Sequence, residues 1–135
     1  MLKKDYLLEM IGAFSRAISQ IIFKRSLKEY DKCHAIVNDE LQKLMGMPLE
    51  IVLSLPAENI FDFLSSFGQL EPEKVLLLVD LLKEEIEVCN DEKNIETANL
   101  ITLKCEEMLN LLDHYDLDEE IAEQLDKRMS TFGID

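Results

Sequence analysis

The run Val75-Leu76-Leu77-Leu78-Val79, followed by Leu81-Leu82, leaves almost no polar face until Glu84 and Glu85. A helix that is apolar all round is buried all round, so any fold of this chain has to wrap other elements about this segment. Pro72 suits its first turn, and Asn90, Asp91 and Asn94 form the turn that ends it, which gives a central helix over residues 72–90. The surrounding chain is helical too. Only four glycines and three prolines punctuate 135 residues in which Leu, Ile, Glu and Lys dominate, a composition of helices rather than sheets. The length fits a single domain, 1–135, able to bury a core without disulfides or metals.

Leu7, Ile11, Phe14, Ile18 and Ile21 alternate steps of four and three, widened by Met10, Ala17 and Ile22 into the core-facing stripe of a first helix over residues 4–24. Ser26 is placed to cap a second helix, striped by Leu27, Tyr30, Cys33, Val37, Leu41 and Leu44 and stopped at Gly46. Together they predict a helical hairpin over 4–46. Pro48 and Pro56 each open a short helix, the first running to about Ser54 and the second from Glu58 to Phe67 with Gly68 closing it. In the second, Ile60, Phe61, Phe63, Leu64 and Phe67 are apolar. Residues 48–68 therefore read as two connector helices. A second hairpin, 72–115, pairs the central helix with one striped by Ile95, Ala98, Ile101, Thr102, Cys105, Met108, Leu109 and Leu112. Asp116 or Asp118 then caps a last helix, 118–132, in which Ile121, Leu125, Met129 and Phe132 recur and Gly133 gives the stop. Lys127 and Arg128 suit the negative end of its dipole, and its apolar stripe covers what the second hairpin leaves open. The expected architecture is all-α, with about seven helices in antiparallel hairpins.

The hairpins carry one pattern at a fixed offset. Shifting by 65 residues brings Tyr30 onto Ile95, Cys33 onto Ala98, Ile36 onto Ile101, Glu40 onto Cys105 and Leu44 onto Leu109. Small residues at Cys33 and Ala98, three positions after a bulky one, let the antiparallel helix of the same hairpin approach closely. This resembles the second helix of a tetratricopeptide-type hairpin, a family that repeats at about 34 residues. With the start Lys4-Asp5-Tyr6-Leu7 and Met10-Ile11, the Tyr30 turn and the Glu71-Pro72-Glu73-Lys74 opening of the leucine-rich helix, the chain is similar to an uncharacterised bacterial family of small all-helical proteins with tetratricopeptide-like hairpins. The resemblance implies that fold and brings no activity.

The formal charge of −14 excludes non-specific attraction to nucleic acid, which needs clustered Lys and Arg to displace counterions. It also disfavours anionic membranes. The distribution is lopsided: residues 1–32 carry a net +3 and the other 103 a net −17. Such asymmetry can steer self-association or a basic partner onto the acidic part. Acids interrupting the N-terminal apolar residues argue against a signal peptide, no uncharged stretch approaches bilayer length, and the three cysteines Cys33, Cys89 and Cys105 lie on apolar stripes as buried thiols. A cytoplasmic protein is the expectation.

Motifs for chemistry are missing. Asp113, Asp116, Asp118 and Glu120 cluster beside His114, but an EF-hand from Asp116 would need glycine at Ile121 and a carboxylate at Lys127. Neither histidine has a glutamate three residues earlier, no CxxC or HExxH occurs, and the glycines are isolated. Cys33 and His34, adjacent on one helix, diverge by about 100° and form no local pair. Paired carboxylates Glu84-Glu85 and Glu106-Glu107 read as solvated faces. No catalytic residue, cofactor or metal ligand is therefore assigned.

The expected function is a non-enzymatic helical interaction module that binds a protein or peptide partner or forms a homodimer. The alternative is a small-molecule- or metal-binding enzyme whose site assembles from His34, His114, cysteine and acidic residues. Gly12 costs about 1 kcal/mol relative to alanine inside a helix. It lies between Glu9 and Arg16, which with Ser19 makes the outward face of the first helix the candidate partner or self-association surface.

Overall fold

A computed structural model describes the backbone of residues 2–134 and the side chains of residues 5–134. The order is α1 (Leu2–Ser26), α2 (Tyr30–Met45), α3 (Leu49–Ser54), α4 (Ala57–Phe63), a two-stranded ribbon β1 (Ser65–Ser66) and β2 (Gln69–Leu70), α5 (Pro72–Asp91), α6 (Ile95–Leu112) and α7 (Glu119–Thr131). The chain is all-α, as its pattern requires, apart from that short ribbon.

Helix α5 is the axis. Val75 to Val79, Leu81 and Leu82 are all buried, because α1, α2, α6 and α7 all pack on it. One contiguous core runs from Phe14 and Ile21 of α1 to Met129 of α7. It includes Val52, Ala57, Ile60 and Phe61, so α3 and α4 are part of the interior and pack on α6. The α3–α4 break is tied to α6 by polar contacts as well: Lys104 Nζ donates to the Leu55 carbonyl at 2.6 Å, and Glu107 Oε1 accepts from the Ala57 amide at 2.7 Å. Pro56 precedes α4 without a side-chain cap. Glu107 thus satisfies from another helix an amide that would otherwise be orphaned at a helix start.

The repeat extends into the backbone of the turns. Lys28 and Lys93, 65 residues apart, both adopt positive φ (60° and 65°). The amides of Glu29 and Asn94 return to the carbonyls of Lys24 and Cys89, and those of Lys28 and Lys93 to Arg25 and Asn90. Both hairpins turn by the same left-handed helix stop. Cys33 sits close enough to α1 for its Sγ to donate to the Ile21 carbonyl at 3.5 Å, the close approach that a small residue there permits.

Several local expectations are corrected. Ser26 does not cap α2: it ends α1, its Oγ donating to Phe23 O, and Leu27 is exposed in the turn. Pro48 and Pro56 stand one position before their helices rather than inside them. Helix α4 stops at Phe63, not Phe67, because Phe67 (φ 54°) and Gly68 (φ 76°) form the tight turn of the β1–β2 ribbon, pairing Ser66 with Gln69. Phe67 is fully exposed and Phe63 half-exposed, so neither joins the core. The stripe of α6 begins at Ala98, with Ile95 outside. Of the two proposed caps for α7, Asp118 is used, its Oδ1 accepting from the Ile121 amide at 2.9 Å.

Two consecutive positive-φ residues make a turn in which Asn-Gly is the favoured pair and an aromatic residue is strained. Phe67→Asn is expected to stabilise the fold by about 1 kcal/mol, read as a higher urea midpoint. An unchanged or lower midpoint would show that the exposed ring is held by something other than this turn.

Candidate functional site

Helix α1 carries two interleaved seams. One, Leu7, Met10, Phe14, Ala17 and Ile21, faces the core. The other, Leu8, Ile11, Ser15, Ile18 and Ile22, is displaced by one residue and so by about 100° around the helix. Leu8 is 57 % exposed, and Ile11 and Ile22 are exposed as well. The single broad stripe expected from the sequence is therefore corrected: Ile11 and Ile22 are not core residues.

The second seam forms one wall of a groove of about 420 Å³. Leu76 and Leu77 of α5 supply the floor, and Ile121, Gln124 and Arg128 of α7 line the opposite wall. The groove exists because α1 and α7 both pack on α5 and stand apart above Leu76 and Leu77. Its far wall is fixed by Arg128, which clasps Asp80 in a bidentate pair, Nε to Oδ1 at 2.9 Å and Nη2 to Oδ2 at 2.8 Å. Arg128 Nη1 also donates to the Gln124 carbonyl. Arg128 stands in the last turn of α7, where its charge suits the helix dipole, and its planar fork also satisfies the one polar residue in the apolar run of α5.

The groove has a direction. Lys74 Nζ lies 5.3 Å over the Tyr6 ring, whereas Arg25 lies beside Glu87 and Asp91 at 3.7 Å from each. Helices α1 and α5 are therefore parallel. Glu73, Asp118 and Glu120 line the groove at the end near Leu7 and Leu8, and the Asp80–Arg128 pair marks the end near Ser15 and Ile18. None of those three acids forms an ion pair among the described residues.

The face proposed from the sequence lies next to this seam. Glu9, Arg16 and Ser19 are exposed and Gly12 is half-buried. A Cβ built on Gly12 would meet only Arg16 Nη1, at 3.5 Å. The glycine is thus not required by any close backbone approach within the chain.

The second polar feature joins α2 to α5. His34 Nδ1 lies 2.7 Å from Glu85 Oε2 and Nε2 lies 2.6 Å from Glu92 Oε1. Glu85 is 3 % exposed, so the expectation that it belongs to a solvated face is corrected; its Oε1 has no hydrogen-bond partner among the described residues. Burial pushes the Glu85 carboxyl above its ordinary range, against the pull of His34. Burial alone would lower His34, but the Glu85 charge and the hydrogen bonds to Glu92 and Glu85 outweigh it and hold the imidazole above its usual 6.5. A carboxylate on each ring nitrogen favours the doubly protonated imidazole.

His114 is not part of this cluster. It is exposed at the C-terminal end of α6, its Nδ1 against the Asn110 carbonyl at 2.8 Å, at the opposite end of the bundle. The two histidines named for an assembled site are thus not brought together. Cys89 lies against Glu85, Sγ to Oε2 at 4.0 Å. Burial, reinforced by Glu85, pushes the Cys89 thiol up to about 11, and burial raises Cys105 to about 12. Cys33 is raised for the same first reason. These sulfurs are protonated near neutrality and lack the thiolate that nucleophilic chemistry uses. Among the described residues no group of three or more His, Cys, Asp or Glu is arranged to hold a metal ion; of the acidic cluster at 113–120, Asp118 is spent as a helix cap.

By length and hydropathy Asp5–Ser26 is apolar enough to cross a bilayer, with 22 % of that window buried. Phe14, Ala17 and Ile21 place it as a wall of the bundle, and Leu8, Ile11 and Ile22 are the exposed apolar residues of its other seam. The sequence matches no protein-family profile, no curated protein and no solved structure.

Two outcomes follow. Gly12→Ala is expected to raise stability by about 0.5–1 kcal/mol, seen in chemical denaturation; a loss would mean that the Arg16 head cannot yield. For the clamp, the raised folded-state value of His34 makes its contribution full below the unfolded His value and lets it fade as pH rises through the folded one, whereas the raised Glu85 value favours the fold only below the ordinary carboxylate range. The stability gap between wild type and His34→Gln should be about 1–3 kcal/mol near pH 6 and shrink as pH rises through the folded-state His34 value. A gap independent of pH would show that no extra proton is held there.

Proposed function

We propose that this protein is a non-enzymatic interaction module of tetratricopeptide-like hairpins whose docking surface is the α1–α5–α7 groove. The observation that carries the reading is the exposed seam of α1 beside an apolar floor. Leu8 and Ile11 stand open to water next to Leu76 and Leu77, which is the surface an amphipathic helix buries when it lies in a groove. The repeated hairpin turn supports the tetratricopeptide-like part of the reading. Its ligand is a helix with an apolar stripe flanked by Lys or Arg, because the unneutralised charges along the groove are Glu73, Asp118 and Glu120. A protein with −14 overall repels acidic partners and attracts such a segment.

The alternative, an assembled enzyme site, draws less support. His34 has both ring nitrogens engaged by carboxylates, and the neighbouring thiols are protonated. The arrangement suits a structural tie more than a nucleophile and base.

A designed helical peptide with a Leu/Ile stripe and Lys flanks, titrated into labelled protein, should shift the resonances of Leu76, Leu77 and Ile121. Leu8→Glu should weaken that binding about tenfold or more without unfolding the chain, since Leu8 is already exposed. Shifts confined to other surfaces, or equal binding of a peptide with Glu flanks, would refute the assignment.

A further inference from the structure

We infer that the helix received by this groove is α1 of a second copy of the chain, laid antiparallel to the first, so that two copies close into a symmetric dimer. The inference rests on the groove reading above and names its occupant. In an isologous contact one patch serves as both surface and ligand. The second seam of α1 meets that requirement: it is a wall of the groove in its own copy and an amphipathic stripe available to the other. Gly12, Ser15 and Ser19 lie on or beside it, and the separation at which two helices pack is set by the side chains at their contact.

Charge selects the partner and its direction. Since α1 and α5 run parallel, the acidic end of the groove, with Glu73, Asp118 and Glu120, lies near Leu7 and Leu8. An antiparallel α1 centred on Ser15 sets Ile22 of the second copy opposite Leu8 and carries its Lys24 to those three acids. A parallel one would carry Asp5 and Glu9 there together with Lys3 and Lys4, an end with no net side-chain charge to set against the three acids. The antiparallel arrangement also opposes the two helix dipoles. An anionic lipid surface meets the same acids and is repelled, which makes the second copy the better occupant for the apolar surface that α1 leaves uncovered.

The test is sedimentation equilibrium of the full chain from about 10 μM to about 1 mM. The expected species has twice the 15.6 kDa chain mass. Leu8→Glu should weaken the dimer about tenfold or more. Lys24→Glu should weaken it about fivefold, and adding Glu120→Lys to that variant should restore it, a rescue that misfolding cannot mimic. Ser15→Cys should form an intermolecular disulfide under mild oxidation, the native cysteines being buried. A monomer over the whole range, a dimer indifferent to Leu8→Glu, or capture of a monomer by anionic vesicles would overturn the inference. The Lys-flanked peptide separates the two failures. If it still binds a monomeric chain at Leu76, Leu77 and Ile121, the groove reading stands and only the second copy is lost; if it does not, both fall.

Discussion

Burying the apolar run of α5, Val75 to Leu82 with Asp80 its one polar member, is the constraint from which the rest of the fold follows. A helix with no polar face has no orientation that water tolerates, so each neighbouring helix contributes a stripe to covering it. Helices α1, α2, α6 and α7 do so, and this common duty makes one contiguous core out of two hairpins, a pair of connector helices and a terminal helix. The covering is thinnest above Leu76 and Leu77, where α1 and α7 stand apart. The groove is the place where the demand of α5 for neighbours is met by flanks rather than by a helix lying directly on top.

Apolar stripes attract without fixing register, and the polar contacts supply what they lack. Asp80 is the one polar side chain in the apolar run, and Arg128 clasps it in a bidentate pair that links α7 to α5. Glu107 and Lys104 pin the α3–α4 break to α6. His34 ties α2 to the last turns of α5 through two carboxylates. Glu71 joins the ribbon to α5, accepting from Ser66 Oγ and pairing with Lys74. Each tie links segments far apart in sequence or closes a turn, and all but the buried Glu71–Lys74 pair sit near the edge of the core, where one end keeps some hydration. That placement limits the desolvation cost that makes fully buried ion pairs poor stabilisers.

Helix positions were legible because their determinants are local. Periodicity, Gly46 and Gly133 at left-handed stops and Asp118 as a cap are all written within a few residues of where they act. Phe67 was misread because an aromatic residue beside a glycine continues a helical stripe in sequence, and only the ribbon reveals its positive φ. The partners of Glu85, Asp80 and Glu107 lie 48 to 51 residues away, and no one-dimensional pattern specifies such pairs. The groove left a trace that was present but merged. Leu7/Met10/Phe14/Ala17/Ile21 and Leu8/Ile11/Ser15/Ile18/Ile22 each satisfy the 3–4 spacing, and a stripe that wide exceeds what one interface covers.

The two halves of that stripe bear on the charge asymmetry. A chain that places a net +3 in its first 32 residues and −17 in the rest would be expected to neutralise itself internally, and Arg25 does so against Glu84, Glu87 and Asp91. The parallel run of α1 and α5 prevents the same solution at the other end. It puts the N-terminal end of α1, where Lys3 and Lys4 are offset by Asp5 and Glu9, and not the more basic C-terminal end, near Glu73, Asp118 and Glu120. The exposed apolar seam and the uncompensated acids therefore share one cause, the direction in which α1 crosses α5. A single helix of opposite direction, apolar on one side and basic at its C-terminal end, answers both at once, and α1 has that character itself.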